Sequence, residues 1–339
     1  MGADIAIDLG TSRTRIYLEN KGIMVDEPSV ITVNHENDSI VAVGEEAYRM
    51  LGRTSERFSA IYPLSGGVIS DLGLVEAMIS TFLTRVTSAR IGMPRAVACV
   101  PGEITEVEKR AVVNAISCCG IRRVCLIEEP VAAAIGAGID ISSPHGAFVA
   151  DIGGGTTDMA VISLSGIAVS RSVKQAGNIM DDEIIKYVKR RYNMLIGKRM
   201  AEDAKKAIGC VVKGAAIGKY RIKGKSIVTG MPAWADMDAE EMIEPLRETA
   251  DIIVGHIQDV LEETPPELIG DIHSDGITLT GGASQIAGLD KLISAATDLK
   301  VRIAENPADC VVNGCGDSLK YIDIIRRNDS MVSPITDRY

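Results

Sequence analysis

Val149-Ala150-Asp151-Ile152-Gly153-Gly154-Gly155-Thr156-Thr157-Asp158-Met159-Ala160-Val161-Ile162 places two apolar, β-favouring runs on either side of a turn of three glycines. An acid precedes the turn and two hydroxyls follow it. Glycines at such a turn let backbone N–H groups approach an anion closely. An Asp at the strand end suits a hydrated Mg²⁺, which binds few protein oxygens and keeps its waters. Phosphate with Mg²⁺ is the guest this predicts, although a plain tight hairpin would show the same glycines. Near the start of the chain, Ile5-Ala6-Ile7-Asp8-Leu9-Gly10-Thr11-Ser12-Arg13-Thr14-Arg15-Ile16-Tyr17 repeats the pattern. Asp8, Gly10 and Thr14 match Asp151, Gly153 and Thr157 in order and spacing. Coincidence aside, two such hairpins predict two related half-molecules gripping one phosphate chain from both sides.

The 339 residues suffice for two domains or one elaborated α/β unit. A formal net charge of −10 argues against a general nucleic-acid binder, which needs a basic face. Cys99, Cys118, Cys119, Cys125, Cys210, Cys310 and Cys315 form no C-x-x-C pair, which predicts buried thiols in a reducing cytosol rather than disulfides or metal ligands. Asp4 and Asp8 interrupt any signal-peptide core, and no stretch of about eighteen residues is free of charge, so no transmembrane helix is expected.

Outside the hairpins, strands are expected at Val30–Val33, Ile40–Val43, Arg95–Val100, Val124–Ile127 and Ile167–Val173. Further strands are expected at Lys219–Ile227, Gly230–Met237, Ile277–Thr280 and Lys300–Ala304. Ser70 or Asp71 starts a helix with Leu74, Met78, Phe82 and Leu83 as its stripe. Thr105 with Glu108, and Asp238 with Glu241, are capping boxes. The second opens a long helix that ends before Pro265-Pro266. Helices are also expected over Glu45–Leu51, Met180–Tyr192, Met200–Ile208, Leu289–Ala296 and Asp317–Arg326. The helix Val131–Gly138 has almost no side-chain bulk, as a hinge, a nucleotide-facing helix or a plain helix–sheet contact requires. Lys186, Lys189, Arg190 and Arg191 read as a solvated helix face, and the tail from Asn328 to Tyr339 as mobile.

Longer stretches carry a resemblance as well. They include Asp26-Glu27-Pro28-Ser29-Val30, Leu51-Gly52-Arg53-Thr54, Ile104-Thr105-Glu106-Val107-Glu108-Lys109-Arg110-Ala111-Val112, Ile127-Glu128-Glu129-Pro130, Asn193-Met194-Leu195-Ile196-Gly197 and Thr264-Pro265-Pro266-Glu267-Leu268. With the two hairpins, the chain from Asp4 to Leu319 resembles the actin-like ATPase superfamily and, within it, the MreB family of bacterial cell-shape proteins. The resemblance implies an α/β fold of two domains, each with a five-stranded mixed sheet and helices, plus two small inserted subdomains. The implied division is 1–30, 66–144 and 311–339 (IA), 31–65 (IB), 145–179 and 246–310 (IIA), and 180–245 (IIB).

ATP or ADP with Mg²⁺ would occupy the cleft. Gly10, Thr11, Ser12 and Arg13 would wrap one side of the phosphates, and Gly153, Gly154, Gly155 and Thr156 the other. Asp8 and Asp151 would hold Mg²⁺, through water. Glu129 would orient or deprotonate the attacking water and Thr156 or Thr157 would position it, with Asp151 completing the catalytic group. The alternative for Glu129 is a helix N-terminal acid favoured by the macrodipole, which Glu128 fits better. Gly281, Gly282 and Ala283 would lie near the adenosine, with Gly177, Glu202 and Lys205 as further nucleotide contacts.

The sequence departs from the family pattern in several places. Ser12-Arg13 stands for the usual Ala-Asn, so an extra cation either touches the phosphates or points outward. Gly177-Asn178 stands for Gly-Asp, Lys205-Lys206-Ala207 for a Lys-Ile-Glu-like segment, and Ala283 for a third Gly. The N-terminus is too short for the amphipathic membrane helix of some relatives, which leaves Ile91 and Met93 as candidate anchors. Expected partners are further copies of the chain in paired protofilaments, the membrane surface, and cell-wall elongation proteins such as the cytoplasmic domain of RodZ. The expected place is the cytoplasm, at the inner face of the membrane. Rival readings are a plasmid- or organelle-positioning filament (ParM, MamK), a non-polymerising switch like the seventy-kilodalton chaperones, which would need a longer chain, and a sugar kinase, for which no sugar pocket is evident.

Overall fold

Each glycine hairpin lies at the centre of its own sheet in the computed structural model, which describes residues 4–86, 94–121 and 123–321. The first sheet runs, edge to edge, Arg123–Glu128, Arg95–Val100, Ile5–Leu9, Arg13–Leu18 and Gly22–Pro28. The second runs Val301–Ile303, Ile277–Thr280, Ala147–Ile152, Thr157–Ser163 and Gly166–Val173. In both, three antiparallel strands are extended by two parallel ones. The parallel strands return through helices because they need a crossover connection. These are the two five-stranded mixed sheets the resemblance implied.

Burial follows the residue pattern. Ile5–Leu9 is buried along its whole length, while Arg13–Leu18 alternates, with Thr14, Ile16 and Leu18 inward. The helix Leu72–Val86 buries Val75, Met78, Ile79, Phe82, Leu83 and Val86 at helical spacing. Asp71 caps it by accepting from the Leu74 N–H at 3.0 Å. Removing Phe82 from water is worth about 2–3 kcal/mol. Both capping boxes form as the sequence indicated, the second opening a 3₁₀ turn ahead of the helix Ile243–Glu263. Two small three-stranded sheets flank the cleft: Ile31–Asn34 with Ser39–Val43 and Phe58–Ile61, and Lys219–Ser226 with Pro232–Asp238 and Met194–Leu195.

The helix Glu129–Gly136 owes its small residues to another helix, Cys310–Ser318. A Cβ on Gly136 would lie 1.9 Å from the Cys310 carbonyl oxygen, and one on Gly314 would lie 1.8 Å from that of Ala132. The two backbones therefore touch. Around them a shared core draws Ala6, Val97 and Ile127 from the first sheet and Val149, Ala160 and Ile162 from the second. The halves are joined at this base, and the cleft opens at the strand ends.

Two expectations need correction. The last helix among the described residues runs Cys310–Ser318 and so starts about two turns ahead of Asp317, since Cys310, Val311, Cys315 and Leu319 supply an apolar stripe there; positions 322–326 of the expected helix lie outside the described residues. A helix over Pro266–Asp275 was not anticipated; Pro266 begins it instead of marking only an end. Ile91, Met93 and the tail from Asn328 to Tyr339 lie outside the described residues. No helix among the described residues is long and apolar enough to cross a membrane.

Candidate functional site

The strand ends of both sheets, and the turns that follow them, enclose a cavity of about 590 Å³, within the range of small-molecule sites. Asp8, Gly10, Thr11, Ser12 and Arg13 line it from the first half. From the second half come Asp151, Gly153, Gly154, Gly155, Thr156, Gly177, Glu202, Lys205, Gly281, Gly282 and Ala283. Glu129 lines it from the base and Glu128 does not, so the two adjacent carboxylates are separated by their place at the helix start. Thr157 is fully buried; its hydroxyl donates to the Gln175 carbonyl at 2.6 Å, and it does not line the cavity.

Two glycines of the second turn, Gly154 and Gly155, are required by the first turn. A Cβ on Gly154 would lie 2.0 Å from Ser12 Oγ, and one on Gly155 would lie 2.2 Å from Thr11 Oγ1. Ser12 Oγ also meets Asn178 Oδ1 at 3.0 Å, across the cleft. Two of the departures from the family pattern thus contact one another. The first turn is itself braced by Ser29, whose hydroxyl donates to the Gly10 carbonyl at 2.6 Å and lies 2.9 Å from Thr14 Oγ1.

Arg13 turns away from the cavity floor onto Asp26, with Nε 2.6 Å from Oδ1 and Nη2 2.7 Å from the Asp26 carbonyl. At the other end, Lys205 Nζ donates to the Gly177 carbonyl at 2.6 Å and pairs with Asp181 at 2.8 Å. Glu202 accepts from Tyr48 Oη at 2.6 Å and pairs with Lys206 at 2.6 Å. Burial pushes Glu202 up, but these donors outweigh it and hold the carboxyl below its ordinary value. Tyr48 belongs to the helix Glu45–Met50 and Glu202 to the helix Lys198–Ile208, so this bond also spans the cleft.

Four carboxyls converge beneath the turns: Asp8, Glu129, Asp151 and Asp158, all buried. Burial raises every one of them, Asp151 to about 7. Glu129 is raised well above the ordinary range by burial and by the charges of Asp158, Asp151 and Asp8. Burial likewise raises Asp8 against the opposing charge of Arg15, and Asp158 against a hydrogen bond from the Gly102 N–H at 2.9 Å. Thr280 Oγ1 donates to Asp151 at 2.7 Å. Asp158 Oδ2 is buried with no hydrogen-bond partner. Like charges this close cannot all ionise without a cation.

The family model for MreB/Mbl proteins matches residues 2–327. The chain belongs to the MreB/Mbl family. Among its relatives in that family is the cell shape-determining protein Mbl of Bacillus cereus, 44% identical over 321 residues, covering 94% of this chain and 96% of Mbl. The crystal structure of MreB5 of Spiroplasma citri bound to AMPPNP superposes with a TM-score of 0.91 at 37% identity, covering 97% of this chain and 98% of that one. The MamK double helical filament, at 20% identity, shares the fold with a TM-score of 0.77, covering 94% of this chain and 98% of that one. The fold of this MreB/Mbl protein is therefore the actin-like ATPase fold.

Two residues of the acid cluster's surroundings escaped the reading of the sequence. Arg15 lies directly opposite Asp8 in the first hairpin, and Asp158 directly opposite Asp151 in the second. Both could have been found by counting outward from each turn, because antiparallel partners share a sheet face. Ile208, Gln285, Ile286, Ala308 and Val311, which also line the cavity, carried no such signal.

Proposed function

We propose that this MreB/Mbl protein is a slow ATPase that assembles, when bound to ATP, into actin-like paired protofilaments organising cell-wall synthesis beneath the membrane. The observation that carries the reading is the pairing of two glycine turns over a buried carboxylate cluster, in a chain that matches cell-shape relatives over 94% of its length. Adenosine is expected at the end holding Gly177, Glu202, Lys205, Gly281, Gly282 and Ala283, and the phosphates between the two turns.

The donor set fits a hydrated Mg²⁺: two strand-end carboxylates, Asp8 and Asp151, face the phosphate end, and the cluster carries more acid than its neighbours neutralise. When bound, Mg²⁺ would supply charge neutralisation to the phosphates. The backbone N–H groups of Gly10 to Ser12 and Gly153 to Thr156 would orient the γ-phosphoryl group. Glu129 would accept the proton of the attacking water, and the Thr156 hydroxyl would hold that water in line; the hydroxyl of Thr157 is already committed to Gln175. Hydrolysis would be slow because Glu129 must first lose the proton that burial and its acidic neighbours favour.

Division into IA, IB, IIA and IIB is part of this reading, supported by the two large and two small sheets. So are the cytoplasmic site beneath the membrane and the cell-wall partners, which rest on family membership. The test is sedimentation with negative-stain microscopy of the purified protein with ATP, ADP or no nucleotide, with and without anionic liposomes. Paired filaments that need ATP, recruited to liposomes, are expected. A monomer in every condition that still binds ATP would overturn the filament reading.

A further inference from the structure

The strands Lys219–Ser226 and Pro232–Asp238 form a hairpin whose two faces differ in chemistry. The inner face buries Ile222 and Met237 in the core of the second half, beside Met194 of the adjoining strand. The outer face turns Lys219, Arg221, Lys223, Lys225, Trp234 and Asp236 to solvent, since side chains alternate along a strand. Trp234, the one tryptophan of the chain, is 70% exposed and lies directly opposite Lys223. Beyond it, the connecting turn exposes Ile227, Val228 and Met231. That turn is firmly built. Ser226 N–H donates to the Met231 carbonyl at 2.8 Å, Gly230 N–H to that of Ser226 at 3.0 Å, and Ile227 N–H to that of Asn193 at 2.8 Å. A backbone held this way keeps three apolar side chains in water, which is unfavourable unless something covers them.

Charge is graded along the same hairpin. At its base, Arg221 is held on Asp236 at 2.7 Å and Lys219 lies 3.9 Å from Asp238. Nearer the tip, Lys223 and Lys225 have no carboxylate partner among the described residues. Residues 222–235 contain no Asp or Glu, in a chain whose net charge is −10. From tip to base the order is aliphatic side chains, then tryptophan with unpaired lysines, then paired charges. Those are the layers of a lipid surface: hydrocarbon, an interface where Trp and Lys settle, and water. A protein partner fits less well, because lysine is depleted in protein–protein interfaces.

We propose that this hairpin tip is a membrane-contact surface, with Ile227, Val228 and Met231 entering the acyl boundary of an anionic bilayer, Trp234 at the headgroups, and Lys223 and Lys225 facing the lipid phosphates. The inference rests on the membrane part of the reading above and assigns it a surface. A single tip holds weakly, so many subunits of one filament act together.

Trp234 emission reports this surface directly, because no other tryptophan contributes. The experiment mixes the full chain and ATP with vesicles of phosphatidylglycerol or of phosphatidylcholine, and follows vesicle flotation and tryptophan emission. Wild type is compared with Val228→Glu/Met231→Glu and with Lys223→Gln/Lys225→Gln. Wild type is expected to float with phosphatidylglycerol, its emission moved to shorter wavelength, and not with phosphatidylcholine. The lysine variant should bind phosphatidylglycerol about thirtyfold more weakly, the scale of two lysines at an anionic surface. The glutamate variant should lose about tenfold or more, and both variants should still assemble with ATP. Wild-type flotation with unmoved emission, or unchanged binding by either variant, would overturn the proposal and leave the membrane reading to another surface. An emission shift on assembly without vesicles, abolished together with assembly in the glutamate variant, would make the tip a contact between copies and overturn it as well. Wild type that floats with neither vesicle would reject the proposal and the membrane reading together.

Discussion

The two hairpins share topology, turn position and leading acid, and differ in the residue opposite that acid. In the first, Asp8 faces Arg15; in the second, Asp151 faces Asp158. The same backbone register therefore builds a neutralised corner on one side of the cleft and an acid-rich one on the other. The consequence is electrostatic. Arg15 opposes the burial of Asp8, while Asp158 reinforces the burial of Asp151 and of Glu129. On the proposed function, the acid-rich hairpin would supply the basicity that hydrolysis needs. The turns also differ in bulk: the second has glycine at 154 and 155 because the first inserts Ser12 and Thr11 against them.

The sharpest way to break this division is Glu129→Ala. Nucleotide binding should stay within a few-fold of wild type, while phosphate release falls by about a hundredfold, the usual scale for a lost general base. Wild-type turnover in that variant would remove Glu129 from the chemistry.

Gly154→Ala tests the steric half of the comparison. The added methyl would sit 2.0 Å from Ser12 Oγ, so the turns must part and nucleotide affinity should drop by about tenfold. Combining it with Ser12→Gly removes the obstructing hydroxymethyl group and should recover most of the loss. Failure of this rescue, read by a nucleotide-binding titration, would mean the two turns do not constrain each other.

The smallest effect concerns protons. Asp158→Asn removes a negative charge beside Glu129, so the Glu129 pKa falls and the acid limb of the hydrolysis profile moves to lower pH. The same variant should alter stability without nucleotide. Asp151 titrates near 3.8 when unfolded and at about 7 in the fold, where Asp8, Glu129 and Asp158 are raised too. Groups raised by folding hold extra protons in the native state. Their stabilisation is therefore full below their ordinary values and declines as pH climbs toward 7. Melting temperature should fall with pH across that window, less steeply in Asp158→Asn. An identical slope would show that Asp158 is not coupled to the cluster.

Most of the site was legible because its parts are local. Asp8 and Asp151 sit two residues before the first glycine of turns bounded by β-favouring runs, and neighbouring residues suffice to specify a strand, a turn and a strand. Glu129 was recoverable only through the longer Glu-Glu-Pro context, since its distinction from Glu128 depends on how a helix starts against the cavity. The helix Pro266–Asp275 was missed because a proline pair signals an ending and a beginning equally well. Arg13 drew attention as a departure in the turn and does line the cavity, with its guanidinium held on Asp26, while Arg15, which drew none, is the arginine beside Asp8.

Sequence alone determined the two hairpins, their leading acids, the glycine turns, the caps and the family, because each is written in residues a few positions apart. Tertiary structure decided the rest. The contact of Ser12 with Asn178 joins residues 166 apart in the chain, and the close crossing at Gly136 and Gly314 exists only once Cys310 and Ala132 are brought alongside. The charge balance of the cleft arises in the same way, from four carboxyls delivered by three separate segments to one buried volume. Distances between such segments are set by how the sheets and helices pack, and no local pattern of residues contains them.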